Sequence, residues 1–342
     1  MSGARTPPPL AAVRTPSPLT AALLVVAVVT AAAAAGGAAA LETLLAAWGS
    51  GFDVLAAATG ADLLALSFMQ QAYLAGVCVA VVGPLVGSFL VHREMAMIGD
   101  ALAHSAFAGV AAGLFANAVL ETALPPLATA LAAAVLAALL VQTLVDHAGA
   151  YRDTSMAIVL TGSFALGSVL VTAADGGIAV GVDAYLFGSL ATVTRANVGV
   201  LVAMTAVVVG VVAVAYRPLV YATFDDVGAR AAGLDVARYN QLLAVLTAVV
   251  VVAAMQIMGV ILVAAMLVVP VAAVAHVRGF KRAMAAAVGV AQVATLVGVT
   301  LSYQFDVAAG GAIVLTAIAA YVVTTLAVRG RRWAASRRRR SA

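Results

Sequence analysis

The sequence contains little charge and almost no cysteine. Only 9% of its 342 residues are charged, whereas 65% are hydrophobic, and the mean hydropathy is +1.13. An ordinary soluble domain has about 25% charged residues, so that class of protein is excluded. The single cysteine, Cys78, can form no intrachain disulfide and lies in an apolar run, where a small packed side chain is expected.

Motifs for nucleotide binding and hydrolysis are absent as well. The sequence has no G-x-x-x-x-G-K-[S/T], and its only lysine, Lys281, follows the isolated Gly279. The chain therefore cannot bind ATP through a P-loop of its own. The zinc-protease pattern H-E-x-x-H is missing, because His92-Arg93-Glu94 has the wrong spacing. Four scattered histidines without a Ser/His/Asp arrangement make an enzyme a poor hypothesis.

Long apolar runs occupy most of the chain. They are continuous rather than alternating, which excludes a transmembrane β-barrel, and most are long enough to cross a bilayer core of about 30 Å. We therefore predict an all-α polytopic membrane protein. Its nine predicted core spans are 69–91, 99–118, 124–145, 155–174, 196–216, 241–256, 258–276, 283–302 and 310–328. Two spacings of small residues, Gly83-x-x-x-Gly87 and Gly109-x-x-x-Gly113, predict close approach between helices.

Composition divides the chain further. Residues 1–18 are basic and Pro-rich, which predicts a disordered tail. For the apolar run 19–40 a retained tenth span is favoured over a cleaved signal peptide, because the run is longer than a usual signal core. Residues 41–65 contain Glu, Asp and no basic residue, which indicates an exposed acidic connection. Residues 66–328 form the main membrane domain, and 329–342 form an Arg-rich tail.

The basic residues fall on alternate connections between the spans. Seventeen of the 18 lie on one side, and only Arg195 lies on the other. By the positive-inside rule the basic side is cytoplasmic, with both termini inside and ten spans in the cell membrane. The basic residues behind the formal net charge of +4 therefore lie along one face of the lipid bilayer, and no nucleic-acid partner is expected.

The almost uninterrupted apolar segment 241–275 tests this topology. Arg-bearing loops flank it at both ends and must share a side, so the chain has to cross twice in 35 residues, at about 26 Å per crossing. The charge distribution predicts two short helices that reverse near 256–259. A single long tilted helix is the alternative, and it would place the last two basic clusters outside.

Two ionisable residues stand out in the stretch 93–113, between apolar runs. Asp100 and His104 are four residues apart and therefore lie on one helix face, one turn apart. Ionisable residues at the edge of a span are costly and indicate a substrate or ion path. A carboxylate with an imidazole suits divalent Mn, Fe or Zn. The alternative is structural: Asp100 caps the helix, and His104 forms a hydrogen bond inside the bundle.

The longest internal loop on the basic side, 217–240, has the pattern of a short helix. Pro218 is expected to end the preceding span. Asp225 or Asp226 would then cap a short helix, which Gly233 would stop. Such a charged helix would suit the docking of a soluble partner, although a solvated loop fits the composition about as well.

Five segments together resemble a known family. They are F-M-Q-Q-A-Y-L-A-G (68–76), G-S-F-L-V-H-R-E-M-A-M-I-G-D-A-L-A-H-S-A-F-A-G-V-A (87–111), Y-L-F-G-S-L (185–190), F-D-D-V-G-A-R-A-A-G-L-D-V (224–236) and M-G-V-I-L-V-A-A-M-L-V-V-P-V-A-A (258–273). In this order they resemble the membrane permease of the ABC importers that take up zinc, manganese or iron. The specific motifs are G-D-A-L-A-H and A-R-A-x-G. The span before residue 65 and the Arg-rich tail depart from the family pattern.

The resemblance implies a type II importer fold and a homodimer of this chain, working with two copies of a separate ATPase and an extracytoplasmic metal-binding protein. It implies no permanently bound cofactor, and ATP acts only through the partner subunit. Asp100 and His104 match the family's metal-translocation pair. The segment 224–236 matches the coupling helix on which the ATPase docks, with the candidate residues Phe224, Asp225, Asp226, Arg230 and Gly233.

Three further residues are weaker candidates for the metal path. Asp183 and Asp306 are predicted on the outer side, where carboxylates can attract cations. His276 ends a span beside Arg278 on the basic side. The simpler interpretation is that the carboxylates are solvated and the histidine lies at an interface.

The expected function is the permease subunit of an ATP-driven importer for a divalent transition metal, with zinc ahead of manganese. One alternative is an ATP-independent secondary transporter that uses Asp100 for ion coupling. Another is a structural membrane scaffold. The docking pattern in 224–236 argues against the secondary carrier, and the pair Asp100/His104 argues against the scaffold.

Overall fold

The computed structural model describes residues 37–121, 123–147, 151–173, 185–188 and 194–340, and the chain in these ranges is almost entirely helical. The helices are α1 (Gly37–Thr59), α2 (Ser67–His92), α3 (Ile98–Leu120), α4 (Pro126–His147), α5 (Arg152–Ala173), α6 (Arg195–Phe224), α7 (Asp226–Ala231), α8 (Val236–Met258), α9 (Val260–Ala273), α10 (Phe280–Phe305) and α11 (Ala309–Arg340). A 3-10 turn, Asp62–Ala65, connects α1 to α2.

Nine of these helices, α2–α6 and α8–α11, coincide with the nine predicted spans, so the all-α prediction is confirmed. Within the described part of the chain, eight helices are long and apolar enough to cross a membrane. The exception among the nine is α9, because its 14 residues extend only about 21 Å. A bilayer core is about 30 Å thick, so α9 reaches only part of the way across.

The chain reverses between α8 and α9 at Gly259, as the charge distribution predicted. Gly259 has φ 76° and ψ 156°, a left-handed conformation that favours glycine. Asn240, near the start of α8, accepts a hydrogen bond from Arg93 at the end of α2. Further along, the backbone of Leu267 in α9 lies against Gly87, also near the end of α2. Helix α8 therefore starts at the end of the bundle where α2 ends, and α9 runs back toward that same end. The single long helix is excluded.

The two ends of the bundle differ in charge. At one end α2, α6, α7, α8 and α10 meet near Arg93, and the ammonium of Lys281 lies 5.0 Å from the centre of the Tyr216 ring. We call this the basic end. At the other end, which we call the acidic end, Glu121 follows α3 and Asp306 follows α10, and the Tyr73 and Thr300 hydroxyls share a hydrogen bond of 2.8 Å.

Small residues allow the central helices to pack backbone to backbone. Gly83 and Gly87 of α2 face the backbone of α9, and Gly109 and Gly113 of α3 face Thr129 of α4. A side chain at Gly87, Gly109 or Gly113 would collide with the neighbouring helix, and one at Gly83 would lie 3.3 Å from the Met266 carbonyl oxygen. The close approach predicted from both spacings is confirmed. Among the spans, α2 is the most enclosed and α5 the least, with 78% and 17% of their apolar windows buried.

The segment predicted as an exposed acidic connection, 41–65, is largely helical; its carboxylates Glu42, Asp53 and Asp62 are exposed, and its apolar side packs on the membrane domain. Trp48 donates from Nε1 to the Gln70 carbonyl at 2.9 Å, and the Gln70 amide donates to Asp53 Oδ1 at 2.9 Å. The Phe52 ring stacks on Tyr73, with 5.6 Å between ring centres. Since Trp48 and Phe52 are four residues apart, they form one aromatic stripe that holds α1 against α2. The predicted tail 1–18 and most of the predicted span 19–40 lie outside the described residues.

The last helix continues well past the predicted span 310–328. The backbone of α11 stays helical to Arg340, through R-R-W-A-A-S-R-R-R-R. Arg and Ala have high helix propensity, and the segment after Gly330 contains neither glycine nor proline to stop it.

Candidate functional site

Asp100 and His104 lie in the first two turns of α3, close to the basic end of the bundle. Both side chains are half-buried. They point from the same helix face and interact electrostatically with each other. An acid and an imidazole are thus held together inside an apolar bundle, where neither is solvated as it would be in water.

The structural alternative for this pair is not what the structure shows. The residue that caps α3 is Met97 rather than Asp100, and among the described residues no side-chain hydrogen bond caps the helix. His104 Nδ1 is buried and has no hydrogen-bond partner in the part of the chain that the structure describes. Buried polar atoms are normally satisfied, so an orphaned imidazole nitrogen next to a carboxylate needs an explanation. A cation with its own water would supply one.

Helix α5 closes one side of the pair. The Phe164 ring meets the His104 ring edge-on, with 5.2 Å between the ring centres and an angle of 83°. One residue away, the Ser105 and Ser163 hydroxyls share a hydrogen bond of 2.8 Å. Phe164 itself remains 46% exposed, so the pair lies beside an open face of α3 and α5 rather than in the centre of the bundle.

The two weaker candidates that the structure describes, His276 and Asp306, do not join this pair. Among the described residues, no three His, Cys, Asp or Glu side chains come together as a metal-binding group. His276 is exposed in the turn after α9, at the basic end. Asp306 is exposed at the acidic end, where it ends α10 with a left-handed backbone, φ 50°. Asp183 lies outside the described residues.

The predicted short helix in the loop 217–240 is present as α7. Asp225 caps it, with Oδ1 accepting from the Gly228 amide at 2.8 Å. The prediction that Pro218 ends the preceding span is wrong, because α6 continues through Pro218 to Phe224. A proline removes one backbone donor, and a membrane helix tolerates that loss when neighbouring groups satisfy the freed carbonyl.

Gly233 ends α7 as the sequence predicted. Its φ is 81°, and its amide donates to the Arg230 carbonyl at 2.9 Å. The next amide, of Leu234, donates to the Ala229 carbonyl at 2.9 Å. These two bonds define a Schellman motif. Leu234 also packs against buried Ala229, which fixes α7 to the rest of the loop.

The outer face of α7 and the adjoining end of α6 combine apolar and charged side chains. Val227 is 79% exposed and Phe224 is 57% exposed. Arg230 and Asp226 form an exposed ion pair at 3.0 Å. Exposed apolar side chains rimmed by charge are typical of a protein–protein contact.

Sequence reasoning missed Arg93 as a residue of this region. Its guanidinium donates to the Thr223 hydroxyl at 2.8 Å and to the Asn240 side chain, which lie on either side of α7. The only signal in the sequence was a basic residue at the end of a span, which also fits a simple topology marker.

A family model and several proteins of known name match most of this chain. Residues 65–328 match the model of the ABC 3 transport family. The manganese transport system membrane protein MntC of Halalkalibacterium halodurans is 33% identical over 267 residues, which is 75% of this chain and 86% of that protein. A probable metal transport system membrane protein of Treponema pallidum is 30% identical over 78% of this chain and 96% of its own length.

Two further relatives extend the comparison. A probable iron transport system membrane protein of Haemophilus influenzae is 29% identical over 76% of this chain and 93% of its own length. The solved structure of PsaBC from Streptococcus pneumoniae in complex with Fab matches with a TM-score of 0.68 and 29% identity, covering 77% of this chain and 92% of that one.

The fold and these matches define a multi-pass membrane permease with the helical architecture of a type II importer. The chain belongs to the ABC 3 transport family, the permease subunits of metal ABC transporters. It is a transport subunit rather than an enzyme, and the ATPase is a separate subunit. The family assignment gives no support to the ATP-independent secondary transporter.

Proposed function

We propose that this chain forms the membrane path of an ATP-driven importer for divalent manganese, and that Asp100 and His104 are the groups that contact the ion in transit. The observation that carries the proposal is the orphaned His104 Nδ1 beside the Asp100 carboxylate, within the first two turns of a membrane helix. Two protein ligands plus water suit a site that must bind an ion briefly and release it.

Manganese replaces zinc as the first expectation. A carboxylate with one imidazole is a ligand set in which oxygen dominates once water completes the shell, and such sets suit Mn²⁺ and Fe²⁺. Zinc sites are most often closed tetrahedra of Cys and His. The relatives reported above are named for manganese, iron or metal in general, which supports the same order of metals.

A second copy of the chain would complete the path. In a single protomer Asp100 and His104 are half-buried beside the exposed Phe164. An ionisable pair facing lipid is costly, so this face needs a cover. A twofold-related copy would place two carboxylates and two imidazoles around one path. This homodimer would work with two ATPase subunits and an extracytoplasmic metal-binding protein.

The basic end faces the cytoplasm in this proposal. The concentration of Arg and Lys there follows the positive-inside rule. Helix α7, with exposed Val227, and the adjoining Phe224 at the end of α6 are then on the side where ATP is available, and together they provide the docking surface for the ATPase. The predicted tenth span, 19–40, would place the N-terminus on the same side as the Arg-rich C-terminal segment.

The test is manganese uptake into proteoliposomes that contain the permease, its ATPase and the metal-binding protein. Asp100→Asn and His104→Gln keep the size of each side chain while changing its ligand chemistry. Both should abolish ATP-dependent uptake while the complex still assembles. Ser163→Ala, next to the pair, is the matched control. Normal uptake in both site variants would contradict the assignment of the pair.

The same assay ranks the metals. Excess unlabelled Mn²⁺ or Fe²⁺ should compete with the uptake of labelled manganese more strongly than excess Zn²⁺. The reverse order would restore zinc as the transported ion.

A further inference from the structure

Arg93, at the end of α2, forms hydrogen bonds to two other helices at the basic end. Its Nε donates to the Thr223 hydroxyl at 2.8 Å, its Nη1 donates to the Asn240 side-chain carbonyl, and its Nη2 donates to the Leu219 carbonyl at 3.4 Å. Thr223 and Leu219 belong to the last turns of α6, whereas Asn240 belongs to the first turns of α8. One side chain therefore bridges the two helices that flank α7.

These contacts lie immediately next to the docking helix. Thr223 is two residues before Asp225, the cap of α7. The neighbouring His92 ring meets the Phe224 ring, with 5.6 Å between their centres. A displacement of α7 by a bound ATPase must therefore move the acceptors of Arg93.

Arg93 is also connected through a short segment to the helix that carries Asp100 and His104. The segment between α2 and α3 has only five residues, 93–97, and its amides are bonded locally: Met95 to the Leu90 carbonyl at 2.9 Å, and Ile98 to the Met95 carbonyl at 3.1 Å. Met95 and Ile98 are fully enclosed, at 4% and 0% exposure. Because this connection is short, hydrogen-bonded locally and anchored by buried side chains, a shift of Arg93 displaces the start of α3.

Arginine is suited to this position in a way that lysine is not. A planar guanidinium can donate to several acceptors in fixed directions, whereas an ammonium acts as a point charge. Burial lowers the pKa of Arg93 to about 10, so the group still carries its charge at neutral pH. In the described residues its acceptors are two neutral side chains and one backbone carbonyl. Breaking such bonds during a movement leaves no buried carboxylate without a partner.

We propose that Arg93 is a positioning residue that couples movement of the docking helix α7 to the first turn of α3, where Asp100 and His104 lie. This inference rests on the proposed function, since it assumes that an ATPase docks on α7 and that the pair contacts the metal. Without Arg93, the ATPase would still dock and turn over, but its cycle would no longer reach the metal pair.

The experiment measures ATP hydrolysed per manganese ion taken up by the complete reconstituted complex. Arg93→Met removes all three donors, and Arg93→Lys keeps the charge with less reach. Thr223→Val and Asn240→Leu each remove one acceptor. Arg238→Met is the matched control, because Arg238 lies two residues from Asn240 but pairs with Asp235 of its own helix.

Loss of coupling should raise the ratio of ATP to manganese by about fivefold or more for Arg93→Met, the lower limit of typical allosteric coupling. Thr223→Val and Asn240→Leu should raise it less, Arg93→Lys should recover part of the loss, and Arg238→Met should match the wild type. A residue that only stabilises the fold would lower the yield of complex and both rates together. An unchanged ratio therefore overturns the inference.

Two further outcomes are decided by the same design. If Arg93→Met fails to assemble, the single-acceptor variants provide the ratio instead, and an unchanged ratio in both overturns the inference. If the wild-type complex shows no ATP-dependent uptake of manganese, the proposed function fails. Normal wild-type coupling with unchanged variants overturns only the role of Arg93.

Discussion

Gly87 of α2 lies against the backbone of Leu267 in α9, so closely that no side chain fits between the two helices. A β-carbon at Gly87 would overlap the Leu267 carbonyl oxygen and lie 2.8 Å from its carbonyl carbon. Because the obstacle is backbone, it cannot rotate away as the end of a flexible side chain would. This contact fixes the short α9 directly against α2.

Gly87→Ala should therefore destabilise the bundle. Overpacking in a dense interior costs about 1–3 kcal/mol, and here the neighbouring backbone would also have to shift. The measurement is the thermal unfolding midpoint of the purified permease in detergent. Gly289→Ala is the matched control, since Gly289 is in a membrane helix with nothing within 4 Å of an added β-carbon. An equal effect of both substitutions would show that the contact does not limit stability.

The covered face proposed for Asp100 and His104 can be tested by cross-linking. In a Cys78→Ser background, Thr161→Cys introduces one exposed thiol on α5, one turn before Phe164. If a second copy covers this face, a short bifunctional thiol reagent should link two permease chains in membranes. Leu166→Cys, on another side of the same helix and 56% exposed, is the control. Efficient linkage at Leu166 but not at Thr161 would place the interface elsewhere.

The sequence predicted those features that depend on local pattern. The nine apolar runs, the reversal at Gly259 and the helix between Asp225 and Gly233 could be derived from length, charge and turn chemistry. The spacing of four also predicted that Asp100 and His104 share one helix face, and both lie in the first two turns of α3. Each of these signals involves residues that are close together in the chain.

The features that were missed depend on contacts between distant segments. The helix α1 is held by Trp48 and Gln70, which are 22 residues apart, and its acidic residues obscured the aromatic stripe. The bonds of Arg93 join residues 130 and 147 positions away. The packing of Phe164 on His104 likewise joins two helices. No periodicity in one segment reveals such contacts.

The end of the docking helix provides a third prediction. Gly233 has φ 81°, and a side chain in this left-handed region costs about 1–2 kcal/mol, more for a β-branched residue. Gly233→Val should disturb the orientation of α7 and reduce the amount of ATPase that co-purifies with the permease. Gly233→Asn should be tolerated, because asparagine adopts this conformation most readily after glycine. Equal ATPase recovery with both variants would mean that the turn does not position the docking surface.

The attachment of α1 to the acidic end gives the last prediction. The Gln70 side-chain amide donates to Asp53 Oδ1 and to the Leu64 carbonyl, both at 2.9 Å, so it ties both α1 and the turn after it to α2. Gln70→Leu removes both bonds and leaves the Leu64 carbonyl without this donor. Limited proteolysis from the acidic side should then cleave within 37–65 faster than in the wild type. Gln71→Leu is the control, because Gln71 is equally half-buried but makes no such hydrogen bond to α1 or the turn among the described residues. Unchanged cleavage in Gln70→Leu, or faster cleavage in Gln71→Leu alone, would show that the aromatic contacts of Trp48 and Phe52 are sufficient to hold α1.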